Sequence, residues 1–325
     1  MLEHQDLSAV QAAAHRAVRA GLGSSYTVTA IERWGGGAHN TGYKLLLNDE
    51  TRLFMKIEKD NIFPRTRRCQ IEREVYGIQL AKEAGIDVPV VVGFDFTGRT
   101  AGCRYLLAEF IDRDLLAQAL EHLTEEQAAP LLAEFEQIAA RVYPVRSEVF
   151  GELYPGGWLG QYDSWREMQT ALSAILLDDA ETLGDYSASE LADIRAVHDL
   201  ALDAILSEGS AILTHNDLHI YNVFVEPDHG SLRVGKLFDF GLSLFQAEYM
   251  SCSGPKGFAG QEAEIARRFN VTESELCCHT LINDLEFVNF AGAIRFAPDK
   301  PYGCLARRKN YLASCRQFLS TTEPR

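Results

Sequence analysis

Three polar residues in the second half of the sequence have the types and the spacing that transfer of a phosphoryl group requires. Asp217 is followed five residues later by Asn222, and Asp239 comes directly before Phe240 and Gly241. A carboxylate can orient an acceptor hydroxyl and take its proton, and carboxylate and amide oxygens are hard ligands that hold Mg²⁺ against phosphate groups. The order of these residues indicates a catalytic carboxylate followed by two metal ligands.

Apolar runs on both sides of these polar residues predict the strands that position them. Residues 211–213, 223–225 and 232–238 are short and apolar, as buried strands are. The polar residues then lie on the loops between the strands. Each alone is also typical of an ordinary turn, but their combination between strands favours a functional site.

The motif His215-x-Asp217-x-x-x-x-Asn222, together with Asp239, resembles the catalytic signature of the aminoglycoside phosphotransferase and choline kinase group. These proteins are small-molecule kinases that share the protein-kinase fold. The resemblance implies that Asp217 is catalytic, that Asn222 and Asp239 bind Mg²⁺, and that His215 braces the loop. It gives no role to His219.

The resemblance covers nearly the whole chain and implies an α+β, bilobal protein-kinase-like fold. A small antiparallel-sheet lobe at residues 1–111 is expected to bind the nucleotide, and a larger, mostly helical lobe at residues 112–325 to carry catalysis and the acceptor. The pattern turns helical from about Asp112. Four capping boxes there predict helix starts, at Thr124, Ser164, Ser187 and Thr272.

A glycine-rich segment, Gly35 to Gly42, lies between two predicted strands of the first lobe. Glycines let backbone amides approach phosphate oxygens closely, although a plain hairpin has the same pattern. The resemblance places Gly36, Gly37 and Asn40 over the nucleotide.

The alternation in Leu53-Phe-Met-Lys-Ile57 directs Lys56 to the face opposite its apolar neighbours. The resemblance implies that Lys56 binds the phosphates of the nucleotide and is held by a glutamate of the next helix, predicted over residues 67–84. Glu72 and Glu74 are both candidates, and the resemblance favours Glu74. The backbone from Glu109 to Ile111, at the end of the last strand of this lobe, is expected to face the adenine ring.

The acceptor side is less defined. The segment Gly160 to Arg166 resembles an insertion of antibiotic phosphotransferases, including hygromycin-type enzymes, and Trp165 is expected either to line the acceptor pocket or to join the core. Asp284 and Glu286 lie where the family gathers acidic residues against a cationic acceptor, with a solvated helix face as the alternative. The segment Leu242 to Met250 has no aspartate where the family commonly has one, which affects the acceptor side.

The composition limits the classes of partner. The chain has 325 residues, 46% of them hydrophobic, and a formal net charge of −15, which argues against a nucleic-acid backbone as partner and favours a cationic substrate or simple solubility. No apolar run approaches the ~18 residues of a membrane helix, and the N-terminus lacks a signal-peptide pattern, so a cytoplasmic protein is expected. Seven cysteines without a Cys-x-x-Cys motif predict free thiols.

These features predict an Mg²⁺-dependent phosphotransferase that uses ATP or GTP and phosphorylates a hydroxyl of a small, cationic molecule such as an aminoglycoside-type antibiotic. A choline or ethanolamine kinase is the alternative, because Asn216 between His215 and Asp217 is typical of choline kinases. A nucleotide-binding pseudokinase without activity is a third possibility. It is disfavoured because such proteins usually lose one of the residues retained here.

Overall fold

The structure of the protein, a computed structural model, describes residues 7–60, 62–142, 144–205, 209–252, 260–301 and 303–321. Within these residues the helices are α1 (Leu7–Leu22), α2 (Gln70–Glu83), α3 (Leu116–Leu120), α4 (Glu125–Val142), α5 (Trp165–Leu183), α6 (Ala188–Ala204), α7 (Glu262–Phe269), α8 (Glu273–Ala293) and α9 (Cys304–Thr321). The strands are β1 (Val28–Gly36), β2 (Asn40–Leu47), β3 (Arg52–Glu58), β4 (Val91–Asp95), β5 (Tyr105–Glu109), β6 (Arg146–Ser147), β7 (Phe150–Gly151), β8 (Gln161–Tyr162), β9 (Ala211–Thr214), β10 (Val223–Asp228), β11 (Ser231–Leu237) and β12 (Leu244–Ala247).

The chain divides into two units, and neither is continuous in sequence. The first unit comprises Met1–Asn61, Cys69–Val145 and His215–Leu244; the second comprises Ile62–Arg68, Arg146–Thr214 and Phe245–Arg325. The functional boundary after Ile111 stays a prediction.

The first unit contains an antiparallel sheet with the strand order β1-β2-β3-β5-β4. Lys56 of β3 is paired with Gly42 of β2 and with Leu106 of β5. The turn between β1 and β2 is shorter than the predicted loop. Gly36 already pairs with Thr41 across it.

One face of this sheet packs against α1. Leu53, Met55 and Ile57 belong to the same buried cluster as Ala14 and Val18 of α1. Burial of each large apolar side chain contributes about 1.5–3 kcal/mol. Because side chains alternate along a strand, Lys56 is directed to the other face, as the sequence predicts.

Helix α2 begins three residues later than the sequence pattern predicts. Residues Arg65–Arg67 form a separate 3-10 turn that belongs to the second unit, and Cys69, with a positive φ of 59°, precedes the helix. The helix is followed by Gly85, whose φ of 77° is the left-handed conformation that commonly ends a helix.

The predicted strands at residues 223–225 and 232–238 are confirmed by the hairpin of β10 and β11 in the first unit. Val223 pairs with Leu237, and the amide of Phe238 donates to the carbonyl of Asn222 at 3.1 Å. The loop before the hairpin and the turn after it are thereby held next to each other. These are the segments that carry Asn222 and Asp239.

The second unit contains α5 to α9 and a sheet of short strands with the order β6-β9-β12-β7-β8. Three of the predicted caps form here. The hydroxyl groups of Ser164, Ser187 and Thr272 accept the backbone N–H three residues later, at 3.2, 3.3 and 3.0 Å. Such caps satisfy donors at the helix start that have no partner within the helix.

Among the described residues, no helix is both long and apolar enough to cross a membrane. The six cysteines whose state the structure describes are free thiols: Cys69, Cys103, Cys277, Cys278, Cys304 and Cys315.

Candidate active site

Lys56 lies between two carboxylates in the first unit. Its Nζ donates to Asp239 Oδ1 at 2.7 Å and to Glu74 Oε2. The side chains of Lys56 and Glu74 are buried, whereas that of Asp239 is 38% exposed. The strand β3, the helix α2 and the turn after β11 therefore meet at one ammonium group.

The ammonium of Lys56 is stabilised by both carboxylates, whereas burial and the neighbouring charge of Asp239 raise the pKa of Glu74. Burial by itself lowers the pKa of Lys56, but the carboxylates of Asp239 and Glu74 outweigh it and raise the pKa above its ordinary value. The cation of Lys56 in turn lowers the pKa of Asp239. Lys56 and Asp239 consequently carry full charges at neutral pH.

The loop between β9 and β10 holds Asp217 and Asn222 together. The side-chain Nδ2 of Asn222 donates to the backbone carbonyl of Asp217 at 2.9 Å and to its carboxylate Oδ2 at 3.2 Å. Asn216 adopts a positive φ of 59°, which asparagine tolerates better than most residues. Its Nδ2 donates to the carbonyl of Leu242 at 3.0 Å, so this loop is also tied to the turn that follows Asp239.

His215 is a buried contact between the same two segments. Its Nε2 donates to the carbonyl of Phe238 at 3.0 Å, and its ring lies 4.6 Å from that of Phe240. Burial lowers the pKa of His215 to about 4, so the ring is neutral near pH 7. This geometry agrees with a bracing role.

Asn222 and Asp239 are the residues that would hold a magnesium ion, and this assignment stays a prediction. Because Nδ2 of Asn222 is used toward Asp217, the amide is oriented and its oxygen is directed away from that carboxylate. Among the described residues, no group of three or more His, Cys, Asp or Glu side chains forms a metal site. A site of one amide and one carboxylate suits Mg²⁺, which usually takes its remaining ligands from phosphates and water.

The tip of the β1–β2 hairpin is fixed by side chains of the first unit. Asn40 Nδ2 donates to Gln70 Oε1 of α2 at 2.7 Å, and Lys59 Nζ donates to the carbonyl of Gly37 at 2.7 Å. Gly35 and Gly36 have positive φ values of 88° and 147°. The amide nitrogen of Asn40 therefore positions the hairpin, and a direct contact of this residue with a nucleotide stays a prediction.

Phe54 was not singled out by the sequence, although it alternates onto the same face as Lys56. A Cβ atom added to Gly42 would lie 2.8 Å from Phe54 Cε2, so the ring covers the backbone of β2. In the sequence, the glycine in the middle of one predicted strand and the aromatic residue in the next are the features that could have predicted this contact.

A cation–aromatic cluster lies on the first unit as well. The Nζ of Lys44 lies 4.8 Å from the ring centroid of Trp34 and 4.6 Å from that of Phe110, and the two rings are 5.2 Å apart, edge to face. Such contacts each contribute about 0.5–1 kcal/mol at exposed sites. Apart from the three residue types, no pattern in the amino-acid sequence predicts this cluster.

The backbone after β5 is partly engaged within the protein. The amide of Glu109 donates to Val90 at 3.0 Å, and that of Phe110 donates to Arg52 at 3.3 Å. The carboxylate of Glu109 also accepts from the amide of Val90 at 2.8 Å and from Lys236. A contact of this segment with a base through Glu109 or Ile111 stays a prediction.

The predicted acceptor residues lie in the second unit. Trp165 has no exposed surface, and its Nε1 donates to the hydroxyl of Tyr249 at 2.6 Å. Asp284 is exposed on α8, as a residue of a solvated helix face is, and partial desolvation by its neighbours raises the pKa of its carboxyl group. Glu286 is paired with Arg67 at 2.9 Å. Of the two alternatives for Trp165, this environment is that of a core residue, and its contact with an acceptor stays a prediction.

Comparison with known proteins identifies the family. Residues 30–246, more than half of the chain, match the model of the phosphotransferase enzyme family APH. The chain belongs to this family. As an APH phosphotransferase it is an enzyme that transfers a phosphoryl group to a small molecule. No curated protein matches the sequence.

Solved structures confirm the kinase-like α+β fold of this phosphotransferase. A thermostable mutant of aminoglycoside phosphotransferase APH(4)-Ia, in a ternary complex with ADP and hygromycin B, has a TM-score of 0.60 at 14% identity, covering 92% of this chain and 96% of that chain. The streptomycin–ATP–APH(2″)-IIa complex has a TM-score of 0.55 at 12% identity, covering 98% and 97%. A candidate fructosamine-3-kinase of Thermobifida fusca has a TM-score of 0.56 at 18% identity, covering 91% and 96%.

Proposed function

We propose that this phosphotransferase uses ATP and Mg²⁺ to phosphorylate a hydroxyl group of a small, cationic acceptor of the aminoglycoside type. The observation that carries the proposal is the ammonium of Lys56 between Glu74 and Asp239. A buried cation that is held by two carboxylates, one of them partly exposed, can exchange a contact with Asp239 for a contact with a phosphate.

ATP is the proposed donor. The face of the sheet that bears Lys56 also bears Phe54, whose ring offers an apolar surface to a flat base. Two of the similar structures hold ADP or ATP. The glycines of the β1–β2 hairpin, Gly36 and Gly37, supply backbone without side chains where phosphates have to approach closely.

In the proposed reaction, the acceptor hydroxyl oxygen attacks the γ-phosphorus of ATP. A new bond forms between that oxygen and phosphorus, the bond from phosphorus to the β–γ bridging oxygen breaks, and ADP leaves. Asp217 orients the hydroxyl and takes its proton, while Lys56 compensates negative charge on the phosphates. Bound Mg²⁺, held by Asn222 and Asp239, supplies further compensation of phosphate charge.

A cationic acceptor is supported by the formal net charge of −15 and by the acidic residues of the second unit. Asp284 and Glu286 are the proposed contacts for amines. Choline and ethanolamine are less well supported. Asn216 is the residue that suggests them. Its side chain makes a contact within the protein, because its Nδ2 donates to the carbonyl of Leu242 at 3.0 Å, and this contact favours no particular acceptor.

The test is a measurement of ADP formation from MgATP with hygromycin B, streptomycin, choline and ethanolamine as separate acceptors. Phosphorylated product is then identified by ³¹P NMR. Turnover with an aminoglycoside that is lost in Asp217→Asn is the expected result. Turnover only with an amino alcohol would overturn the acceptor class, and an Asp217→Asn variant with full turnover would overturn the catalytic assignment.

A further inference from the structure

His219 lies beside the carboxylate of Asp217 on the same loop. Its Nε2 is 3.4 Å from Asp217 Oδ1, and the two side chains are 41% and 38% exposed. This distance is longer than the range of about 2.7–3.2 Å for an N–H···O hydrogen bond. Contacts of this kind in an enzyme without substrates are often long and shorten once the reacting groups are bound.

The backbone of the loop determines which ring nitrogen of His219 carries the proton. The amide of Tyr221 donates to Nδ1 of His219 at 3.2 Å. That nitrogen must present a lone pair, so the proton of the neutral ring is on Nε2. The N–H of Nε2 is the group that lies next to Asp217. The ring of Tyr221 packs edge to face against His219, with 5.7 Å between the centroids, and limits its rotation.

The carboxylate of Asp217 is therefore approached from both of its oxygens. Asn222 Nδ2 donates to Oδ2 at 3.2 Å, and Nε2 of His219 lies 3.4 Å from Oδ1. The torsion that turns a carboxylate about its own bond is broad and is not fixed by rotamer preference. With a donor on only one oxygen, a partly exposed carboxylate samples many orientations. Donors on both oxygens define its plane.

We propose that His219 is a positioning residue, which fixes the plane of the Asp217 carboxylate so that one lone pair faces the acceptor hydroxyl. This inference rests on the proposed role of Asp217. It requires only the N–H of the neutral ring and no change in the charge of His219. Precise orientation of a reacting group acts on the chemical step, so its loss lowers kcat and leaves the binding of the nucleotide unchanged.

The simpler explanation is that His219 only shapes the loop through its bond with Tyr221. Two substitutions separate the explanations. In His219→Asn, the side-chain oxygen can accept the amide two residues later, as asparagine does in turns, but residue 219 no longer brings a donor to Asp217 Oδ1. In His219→Gln, the longer side chain brings an N–H to about the position of Nε2.

The experiment measures kcat and KM for ATP by ADP formation from MgATP, with hygromycin B as acceptor and again with water as acceptor. We expect kcat to fall about tenfold in His219→Asn, an unchanged KM for ATP, and recovery of most of kcat in His219→Gln. The matched control is His229→Asn. The Nε2 of His229 lies 3.9 Å from Asp228 Oδ1 in the turn between β10 and β11, and its side chain is 99% exposed. This variant should behave as the parent protein.

Three outcomes would overturn the inference: a parental kcat in His219→Asn, an equal loss in both variants, or a change in the KM for ATP alone. The ¹⁵N shifts of the His219 ring give a readout without turnover, and protonated Nδ1 in the neutral ring would also overturn it. Failure of the proposed function has a different signature. In that case Asp217→Asn keeps its turnover, whatever the His219 variants do.

Discussion

Gly77 of α2 lies directly against Phe240, the residue after Asp239. A Cβ atom at Gly77 would be 2.6 Å from Phe240 Cβ and 3.0 Å from Cγ, closer than nonbonded carbon atoms approach. The absence of a side chain at this position lets the helix that carries Glu74 pack on the turn that carries Asp239. The ion pairs of Lys56 depend on that approach.

We therefore expect Gly77→Ala to weaken the site even though alanine favours helices. The gain in helix propensity is about 1 kcal/mol, whereas overpacking costs about 1–3 kcal/mol and displaces Phe240. Affinity for MgADP, measured by calorimetry, should fall. Gly209→Ala is the control, because a Cβ there meets nothing within 4 Å. Parental affinity in Gly77→Ala would show that the contact does not set the position of Asp239.

Lys56→Met should abolish turnover and lower the free energy of unfolding. Without the ammonium, Glu74 is left as a buried carboxylate with its main partner lost, which costs about 3 kcal/mol. Glu74→Gln should lower kcat/KM for ATP less than Lys56→Met does, because the amide oxygen of glutamine still accepts a hydrogen bond from Lys56. Urea unfolding and ADP formation provide the two measurements. The exposed Lys82→Met serves as the control and should match the parent in both.

Asp239→Asn separates the metal from the nucleotide. Loss of a hard, charged ligand should remove most of the gain in ADP affinity that Mg²⁺ gives. Binding of ADP without metal should be equal or tighter, since Lys56 is released from a carboxylate 2.7 Å away. Calorimetry with and without Mg²⁺ distinguishes the two effects. The same Mg²⁺ enhancement in both proteins would remove Asp239 from the metal site.

Asp284→Asn tests the acceptor contacts of the second unit. If an amine binds there, KM for the acceptor should rise several-fold with little change in KM for ATP, since such a charge contributes to ground-state binding. High salt should weaken the binding of the acceptor to the parent protein more than to the variant. The reason is that the Debye length falls from about 10 Å at 0.1 M to about 3 Å at 1 M salt. Asp199→Asn, on an exposed part of α6, is the control. Identical acceptor KM values would leave Asp284 as a structural residue.

His198 makes stability depend on pH. Burial lowers its pKa to about 4, and its ring bonds to Ser173 at 2.7 Å and Tyr311 at 3.0 Å. In the unfolded chain the pKa is about 6.5, so the unfolded state takes up a proton first as pH falls. The free energy of unfolding therefore has its full value above about pH 6.5. It falls toward pH 4 as the unfolded state takes up this proton, by at most ~1.4 kcal/mol per pH unit.

The variant His198→Gln has no such proton to bind. Its free energy of unfolding should be lower at pH 7, and its slope between pH 4.5 and 6.5 should be shallower. Urea unfolding at several pH values measures both. His215 and His279 are also buried but are present in both proteins, and the exposed His229→Gln is the control. Equal slopes would show that His198 does not titrate on unfolding.

The parts of the site that the sequence predicted are those encoded locally. The direction of the Lys56 side chain follows from alternation along one strand, its role is what the family resemblance implies, and the strands around Asn222 and Asp239 follow from short apolar runs. From the residues alone, Glu72 and Glu74 are both candidates for the partner of Lys56. The choice depends on which face of α2 is buried, and that is decided by packing on residues far along the chain.

The remaining differences have the same origin. The pattern extends α2 back to residue 67, but residue 67 belongs to the 3-10 turn Arg65–Arg67. Arg65 at the start of that turn donates to the carboxylate of Asp179 from its backbone amide at 2.9 Å and from its side-chain Nε at 2.5 Å. A partner more than a hundred residues away leaves no local pattern. The burial of Trp165 was open for a similar reason, since an aromatic residue in a first helical turn suits either a pocket or a core.

The division of the first unit into three stretches of sequence has a consequence for its synthesis. Chains leave the ribosome from the N-terminus at about 5–20 residues per second, so the sheet with Lys56 and the helix with Glu74 emerge seconds before Asp239 exists. During that interval the lysine and the glutamate have only each other. The ion-pair cluster of Lys56 is thus completed late in translation, and a nascent chain stopped at Val145 contains the whole sheet but neither Asp217 nor the carboxylate that completes the ion pairs.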